Sequence, residues 1–237
     1  MNYPAPTSIP VPIPAPTPAH HSFFRAGIFG GALAILLAGS ADAATYKLDD
    51  GAASNNLGPS FACEFMWGNV FDVVPGAETI STISVAFGTI NAPEQRPVRV
   101  YLYQMVTAND PRDAVLVATA TGLSGLPRTN TFLDFAIPPT AVHGQFFAAI
   151  SMEVFGNATV VPARYDRDGT ANAYRAWYFG ADSYLDTPLS AAPFTGSMNN
   201  YIIPGVFMLR ATGIPTPSGA ALLLGGAIVM SRRMRRA

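Results

Sequence analysis

The chain has 237 residues, of which 49% are hydrophobic and 12% are charged, so it is not an acidic disordered tail. A formal charge of −1 argues against a nucleic-acid-binding protein, which would be basic. The 21 glycines, 21 prolines and 11% aromatic residues favour short strands and tight turns over a helical bundle.

The N-terminus contains two segments that we expect to lie outside the folded domain. Residues 1–19 hold seven prolines, cannot build a core, and are predicted to be polyproline-like or disordered. Residues 20–43 have the pattern of a signal peptide: a short polar segment, an apolar run over 26–38, and the small residues Ala41 and Ala43 at a cleavage site. We therefore predict export. The alternative is an uncleaved anchor, although the apolar run would span only about 20 Å as a helix.

Residues 44–212 are long enough for one domain with a sizeable core. This region carries nine Lys or Arg and fourteen Asp or Glu, a net charge of about −5. A negative surface argues against binding to nucleic acid or to anionic lipid. The single cysteine, Cys63, cannot form an intramolecular disulfide.

The hydrophobic pattern of this region alternates with a period of two. Val98, Val100 and Leu102 share one face of a predicted strand, and 114–120 can return as its hairpin partner after a turn at 108–111. Other short apolar runs lie at 70–74, 80–87, 131–137, 145–154, 158–164, 174–179 and 201–210. We predict an all-β fold, a jelly-roll-like β-sandwich, with Pro138 and Pro139 closing one strand.

The C-terminal segment, 213–237, has three parts in a fixed order. Pro215, Thr216 and Pro217 precede an apolar run over 219–230. Four arginines follow in the last six residues, and a membrane-inserted helix would keep them on the cytoplasmic side: Arg232, Arg233, Arg235 and Arg236. We predict a single transmembrane sorting helix, and a simple tail anchor is the alternative.

This tripartite tail resembles the PEP-CTERM sorting signal of Gram-negative bacteria, over about the 24 residues 214–237. It differs in having Thr216 where the motif has Glu, so it is a Pro-Thr-Pro variant. The resemblance implies Pro215, Thr216 and Pro217 as the recognition motif, the four arginines as stop-transfer charges, and an exosortase-like membrane protease as partner. It also implies a final location at the cell surface or in the exopolysaccharide matrix, after an inner-membrane intermediate.

A search of the sequence for catalytic residues finds little. The only histidine after the signal peptide, His143, lies beside Gly144 in a predicted turn, and no G-x-S-x-G occurs. Cys63 lies in an apolar setting and is predicted to be a small buried residue. A hydrolase could use paired carboxylates such as Glu64 and Glu153, although nothing in the sequence places these two side chains together. We predict a protein that is not an enzyme.

Two ligand-binding hypotheses remain open. Trp67, Tyr165 and Trp177 flank Gly- and Asn-rich stretches and could stack on sugar rings, with core packing as the alternative. Asp166 and Asp168 precede a glycine and could offer oxygen ligands to calcium, with an ordinary Asx turn as the alternative. The first hypothesis for function is therefore a non-catalytic surface or matrix protein without a cofactor. The second is a carbohydrate-binding module, for which calcium dependence through Asp166 and Asp168 is an open alternative.

Overall fold

The computed structural model describes residues 43–91, 95–156, 160–168, 174–183, 188–200 and 204–215. Within these ranges the chain forms β-strands and three short 3₁₀ turns, and no α-helix. The strands are β1 (Ala44–Tyr46), β2 (Asn55–Leu57), β3 (Ala62–Asp72), β4 (Thr79–Val85), β5 (Phe87–Thr89), β6 (Pro97–Gln104), β7 (Val115–Leu123), β8 (Leu133–Ala141), β9 (Gln145–Phe155), β10 (Val161–Asp166), β11 (Ala176–Ala181), β12 (Phe194–Ser197), β13 (Val206–Phe207) and β14 (Leu209–Ile214).

The strands form three antiparallel sheets. The largest has six strands in the order β12-β11-β3-β9-β6-β7. A second has the order β1-β14-β4-β8, and a third has the order β13-β10-β2 with β5 also paired to β10. One hydrophobic core takes residues from all three sheets, so the two smaller sheets pack against one face of the large one. The predicted all-β sandwich is confirmed at this level.

Strand β6 shows why the alternation predicted a strand correctly. Val98, Val100 and Leu102 point into the shared core and are essentially inaccessible to solvent. Tyr101 and Tyr103 point to the opposite face, as a period of two requires. Strand β7 pairs with β6 antiparallel along its whole length, which confirms the predicted hairpin.

Two details of the predicted strands are wrong. Pro138 and Pro139 do not end their strand, because β8 continues to Ala141. Strand β8 lies at the edge of its sheet and its pairing with β4 shifts register at this point, so the missing N–H groups of the prolines are tolerated. Strand β3 begins at Ala62 rather than near residue 70. Residues 65–71 of this strand are buried on both faces, so they show no regular polar alternation.

The described residues contain no helix that is both long and apolar enough to cross a membrane. The last strand continues to Ile214, two residues beyond the predicted domain boundary at 212. Ala41, Thr216, Pro217 and the four C-terminal arginines lie outside the described residues, so the signal peptide and the sorting tail remain predictions.

Candidate functional site

The outer face of the six-stranded sheet, which points away from the shared core, is apolar over most of its area. Its side chains form a second buried cluster, which includes Met66, Val70, Tyr101, Tyr103, Phe147, Trp177 and Phe179. The outward positions of β3 and β9 become polar towards one end of the sheet, at Glu64, Ser151 and Glu153. Arg99 on β6 lies opposite Ser151 in register. Polar groups therefore concentrate at one end of an otherwise apolar face.

Glu64 and Glu153 are direct cross-strand partners in the β3–β9 pair. Side chains directly opposite each other in an antiparallel pair interact, and like charges in such positions are destabilising. The Ser151 hydroxyl donates a short hydrogen bond to Glu64 Oε1, and Tyr101 Oη lies 3.2 Å from Ser151 Oγ. The structure thus brings together two carboxylates that the sequence could not place, at a small cost in stability.

A cavity of about 420 Å³, named the carboxylate pocket, opens at this point. It is lined by Ala62, Cys63, Glu64, Arg99, Glu153, Val154, Asp182 and Ser183. Asp182 and Ser183 directly follow β11, the neighbour of β3 in the sheet. Within the described ranges, none of the three carboxylates forms a salt bridge. The volume of the carboxylate pocket lies in the range of pockets that bind small ligands.

The pKa of the Cys63 thiol reflects the negative charge in the carboxylate pocket. Partial burial, together with the negative charges of Glu64 and Asp182, raises the pKa of Cys63 to about 11. The thiol is therefore protonated at neutral pH and is a poor nucleophile. The pocket disfavours an anion, so its chemistry suits neutral hydroxyl-bearing ligands or cationic groups.

A smaller cavity of about 270 Å³, named the Phe155 pocket, adjoins the first and shares Glu153 with it. Its other lining residues are Gln95, Arg96, Pro97 and Phe155. The Phe155 side chain is 59% exposed, and the Arg96 guanidinium lies 5.3 Å from the centre of its ring. This arrangement leaves an aromatic ring open to a ligand beside the polar pocket.

The three aromatic residues predicted to stack on sugars do not form a platform, and that prediction is wrong. Trp67 is completely buried, and Tyr165 is 3% exposed, both in the shared core. Trp177 is 7% exposed and packs in the outer cluster, against Phe179. Glycines and asparagines nearby in the sequence do not predict whether an aromatic side chain is buried, and stacking on a sugar requires an accessible ring. These rings are part of the two cores.

Asp166 and Asp168 form a turn closed by backbone hydrogen bonds. Asp166 is 1% exposed and accepts hydrogen bonds from the backbone N–H groups of Asp168 and Asp50, one on each oxygen. This is the pattern of an Asx turn. The part of the chain that the structure describes holds no group of three or more His, Cys, Asp or Glu side chains arranged for a metal. Calcium at this loop remains a prediction.

His143 lies in an exposed loop, where its backbone exchanges hydrogen bonds with the side chain of Gln104. It lies just before the start of β9, whereas Glu153 lies near the end of that strand, and it lines neither pocket. Glu64 and Glu153 were predicted from the sequence as a pair, whereas Arg99, Ser151 and Phe155 were not predicted. These three residues occupy outward-facing positions near strand ends. That pattern can be recognised only once the inward face of each strand is known.

Comparisons with known proteins add the fold alone. No protein-family model matches the chain, and no curated protein matches it. Its structure is similar to the clostridial cysteine protease Cwp84 after propeptide cleavage, with a TM-score of 0.54, 14% identity, and coverage of 74% of this chain and 41% of that one.

A second similar structure contains the cysteine protease and lectin-like domains of Cwp84, a surface layer associated protein of Clostridium difficile. Its TM-score is 0.47 and its identity 16%, over 74% of this chain and 36% of the other. The chain thus spans less than half the length of the proteins it matches. At 14% identity the likeness to the first structure supports a shared β fold alone.

Proposed function

We propose that this chain is a non-catalytic, exported cell-surface or matrix protein whose β-sandwich binds carbohydrate at the carboxylate pocket. The observation that carries the binding part is the pocket itself, where Glu153 and Asp182 are free of salt bridges within the described ranges. Carboxylates, hydroxyls and a guanidinium supply the acceptors and donors that sugar hydroxyls need. The exposed Phe155 ring beside them offers an apolar face.

The binding proposal predicts that Glu153→Gln weakens carbohydrate binding about tenfold or more, because a hydrogen bond to a charged group contributes about 1.5–3 kcal/mol. Glu153 is exposed, so the variant should fold normally. The matched control is Asp134→Asn, an exposed carboxylate on β8 outside both pockets. The measurement is a glycan array followed by calorimetry on the strongest ligand. A silent array, or equal loss in the control, would contradict the proposal.

The same array repeated with a chelator tests the calcium alternative. Loss of binding with chelator and after Asp168→Asn would support a calcium site at the 166–168 turn. Binding that is indifferent to chelator would leave the carboxylate pocket acting without a metal.

The sorting part of the proposal rests on the tail, with its Pro215–Pro217 motif and its arginines, and on an exosortase-like protease as partner. The fold supports these boundaries, since Ala44 pairs with Gly213, so the two ends of the domain leave side by side from the neighbouring strands β1 and β14. Strands β7 to β11 alternate between the large sheet and the two smaller ones, which supports the proposed jelly-roll connectivity.

The role of the tail is tested by deleting residues 216–237. Ile214 is kept because it belongs to β14 and pairs with Thr79 on β4. We expect the truncated protein to leave the membrane fraction and to fail to reach the cell surface. A full-length control replaces the four arginines with lysines, which preserves the positive charge. Mass spectrometry of both termini should show a start near Ala44 and a missing tail. Unchanged localisation after the deletion would contradict sorting, and an intact tail in the membrane would make it only an anchor.

A hydrolase is the second candidate function, and the register of Glu64 with Glu153 favours it. Opposed residues on paired strands have Cβ atoms about 5 Å apart, so their side chains can bring the two carboxyl groups to the separation of about 5 Å that retaining glycosidases use. The discriminating measurement is the release of reducing ends from the polysaccharide that binds. We expect none. Turnover by the wild type that disappears in Glu153→Gln would replace binding with hydrolysis.

A further inference from the structure

The two pockets lie side by side across one end of the six-stranded sheet. The carboxylate pocket takes residues from β3 and β9, from Arg99 on β6, and from Asp182 just after β11. The Phe155 pocket continues from the shared residue Glu153 to Pro97 at the start of β6. Because β11, β3, β9 and β6 are consecutive in the sheet and the two cavities share Glu153, the cavities form one groove that spans four strands at this end of the sheet.

The length of this groove follows from the strand spacing. Four neighbouring strands span three gaps of about 4.8 Å, which gives roughly 14 Å before side chains are added. The carboxylate pocket reaches all four strands, and the Phe155 pocket extends it on the β9 and β6 side, towards the end of β9. A single sugar would occupy one pocket and leave the other empty. A few sugars joined in a chain would occupy both.

The two halves of the groove differ in chemistry. The carboxylate half presents Glu64, Asp182 and Ser183, which suit the polar edge of a sugar ring. The Phe155 half presents an exposed ring with a guanidinium over it, which suits the apolar face of a ring. Successive rings of an extended polysaccharide offer both kinds of surface. An internal segment continues beyond the site in both directions, so it does not need a groove that is closed at one end.

We propose that the groove binds an internal segment of a polysaccharide, a few residues long, rather than a monosaccharide or a chain end. This inference rests on the proposed carbohydrate-binding function and names the ligand class of the same site. The carboxylate pocket holds one ring through hydrogen bonds, and Phe155 stacks on a ring further along the chain. Affinity therefore depends on chain length.

The test is calorimetry of the full protein with two series of β-1,4-linked oligosaccharides, from glucose to its hexamer and from glucosamine to its hexamer. We expect affinity to rise at least tenfold from monomer to tetramer and then to level off. Phe155→Ala should reduce tetramer affinity about tenfold, the size of one aromatic contact, and so weaken the dependence of affinity on chain length. Tyr174→Ala, which removes another exposed ring outside both pockets, is the matched control and should change neither.

The outcomes separate the two proposals. Equal affinity for monomer and tetramer, lost in Glu153→Gln, would overturn the extended groove and keep the carbohydrate site. A length dependence that survives Phe155→Ala but disappears in Tyr174→Ala would also overturn the groove, since the second subsite would lie elsewhere. No binding in either series would contradict the proposed function, and with it this inference.

Discussion

Replacing Arg210 with Ala is expected to lower the free energy of unfolding by about 3–5 kcal/mol, because it leaves a buried carboxylate without its partner. The side chain of Asp49 is fully buried, and that of Arg210 is 23% exposed. Arg210 Nε lies 3.2 and 3.1 Å from the two Asp49 oxygens, and its Nη2 donates to Oδ1. The guanidinium also lies 4.0 Å from the centre of the Phe132 ring. This contact ties the segment after β1 to β14.

Urea unfolding of the purified variants checks this prediction. Arg210→Lys should lose an intermediate amount, since an ammonium cannot reproduce the bidentate contact or the stacking. The double variant Asp49→Asn with Arg210→Ala should recover part of the loss, because no charge is then buried alone. The control is Arg112→Ala, which removes an exposed ion pair with Asp110 and should cost less than about 1 kcal/mol. Equal costs at the two arginines would contradict the explanation.

Asn69→Ala is expected to destabilise the protein by about 3 kcal/mol, because it leaves buried backbone groups without hydrogen-bond partners. Asn69 is completely buried on β3. Its Nδ2 donates to the carbonyls of Phe207, at 2.7 Å, and Leu209, at 3.1 Å, and its Oδ1 accepts from the Phe207 N–H at 3.1 Å. These backbone groups lie where the chain passes from β13 in one sheet to β14 in another. The Asn69 amide therefore supplies the hydrogen bonds that regular strand pairing does not provide there.

Two further variants make the Asn69 prediction specific. Asn69→Asp keeps the shape and the acceptor but loses both donors and places a carboxylate against two carbonyl oxygens, so we expect at least as large a loss as for Ala. Asn91→Ala, at an exposed loop position, should change stability by less than about 0.5 kcal/mol. A thermal or urea denaturation in which Asn69→Asp is as stable as the wild type would show that the donated hydrogen bonds are unimportant.

The sequence predicted the parts of the fold whose signal is local. Strand β6 alternates clearly and is followed by a turn and a second apolar run, so the hairpin with β7 could be predicted from adjacent residues alone. The part of β3 from Phe65 onwards could not, since Phe65 and Met66 are buried on opposite faces and no polar period remains. Pro138 and Pro139 wrongly indicated the end of a strand. Prolines are tolerated in an edge strand, and whether a strand lies at the edge depends on the whole sheet.

The candidate site depends on strand pairing, which is not local. Glu64 and Glu153 become neighbours only through the register of β3 with β9. The exposure of Phe155 and the burial of Trp67 likewise depend on which face of the large sheet receives the second layer. Composition near an aromatic residue does not carry that information. The sequence could therefore offer the residue types of a sugar site but not their positions.

The most direct test of the carbohydrate-binding account is amide chemical-shift mapping of the isotope-labelled protein during titration with the glucose and glucosamine tetramers. The account predicts that the largest shifts fall at 62–64, 95–99, 153–155 and 182–183, the residues that line the two pockets. Shifts confined to the 166–168 turn or to the surroundings of Trp177, or no saturable shifts with either tetramer, would contradict it.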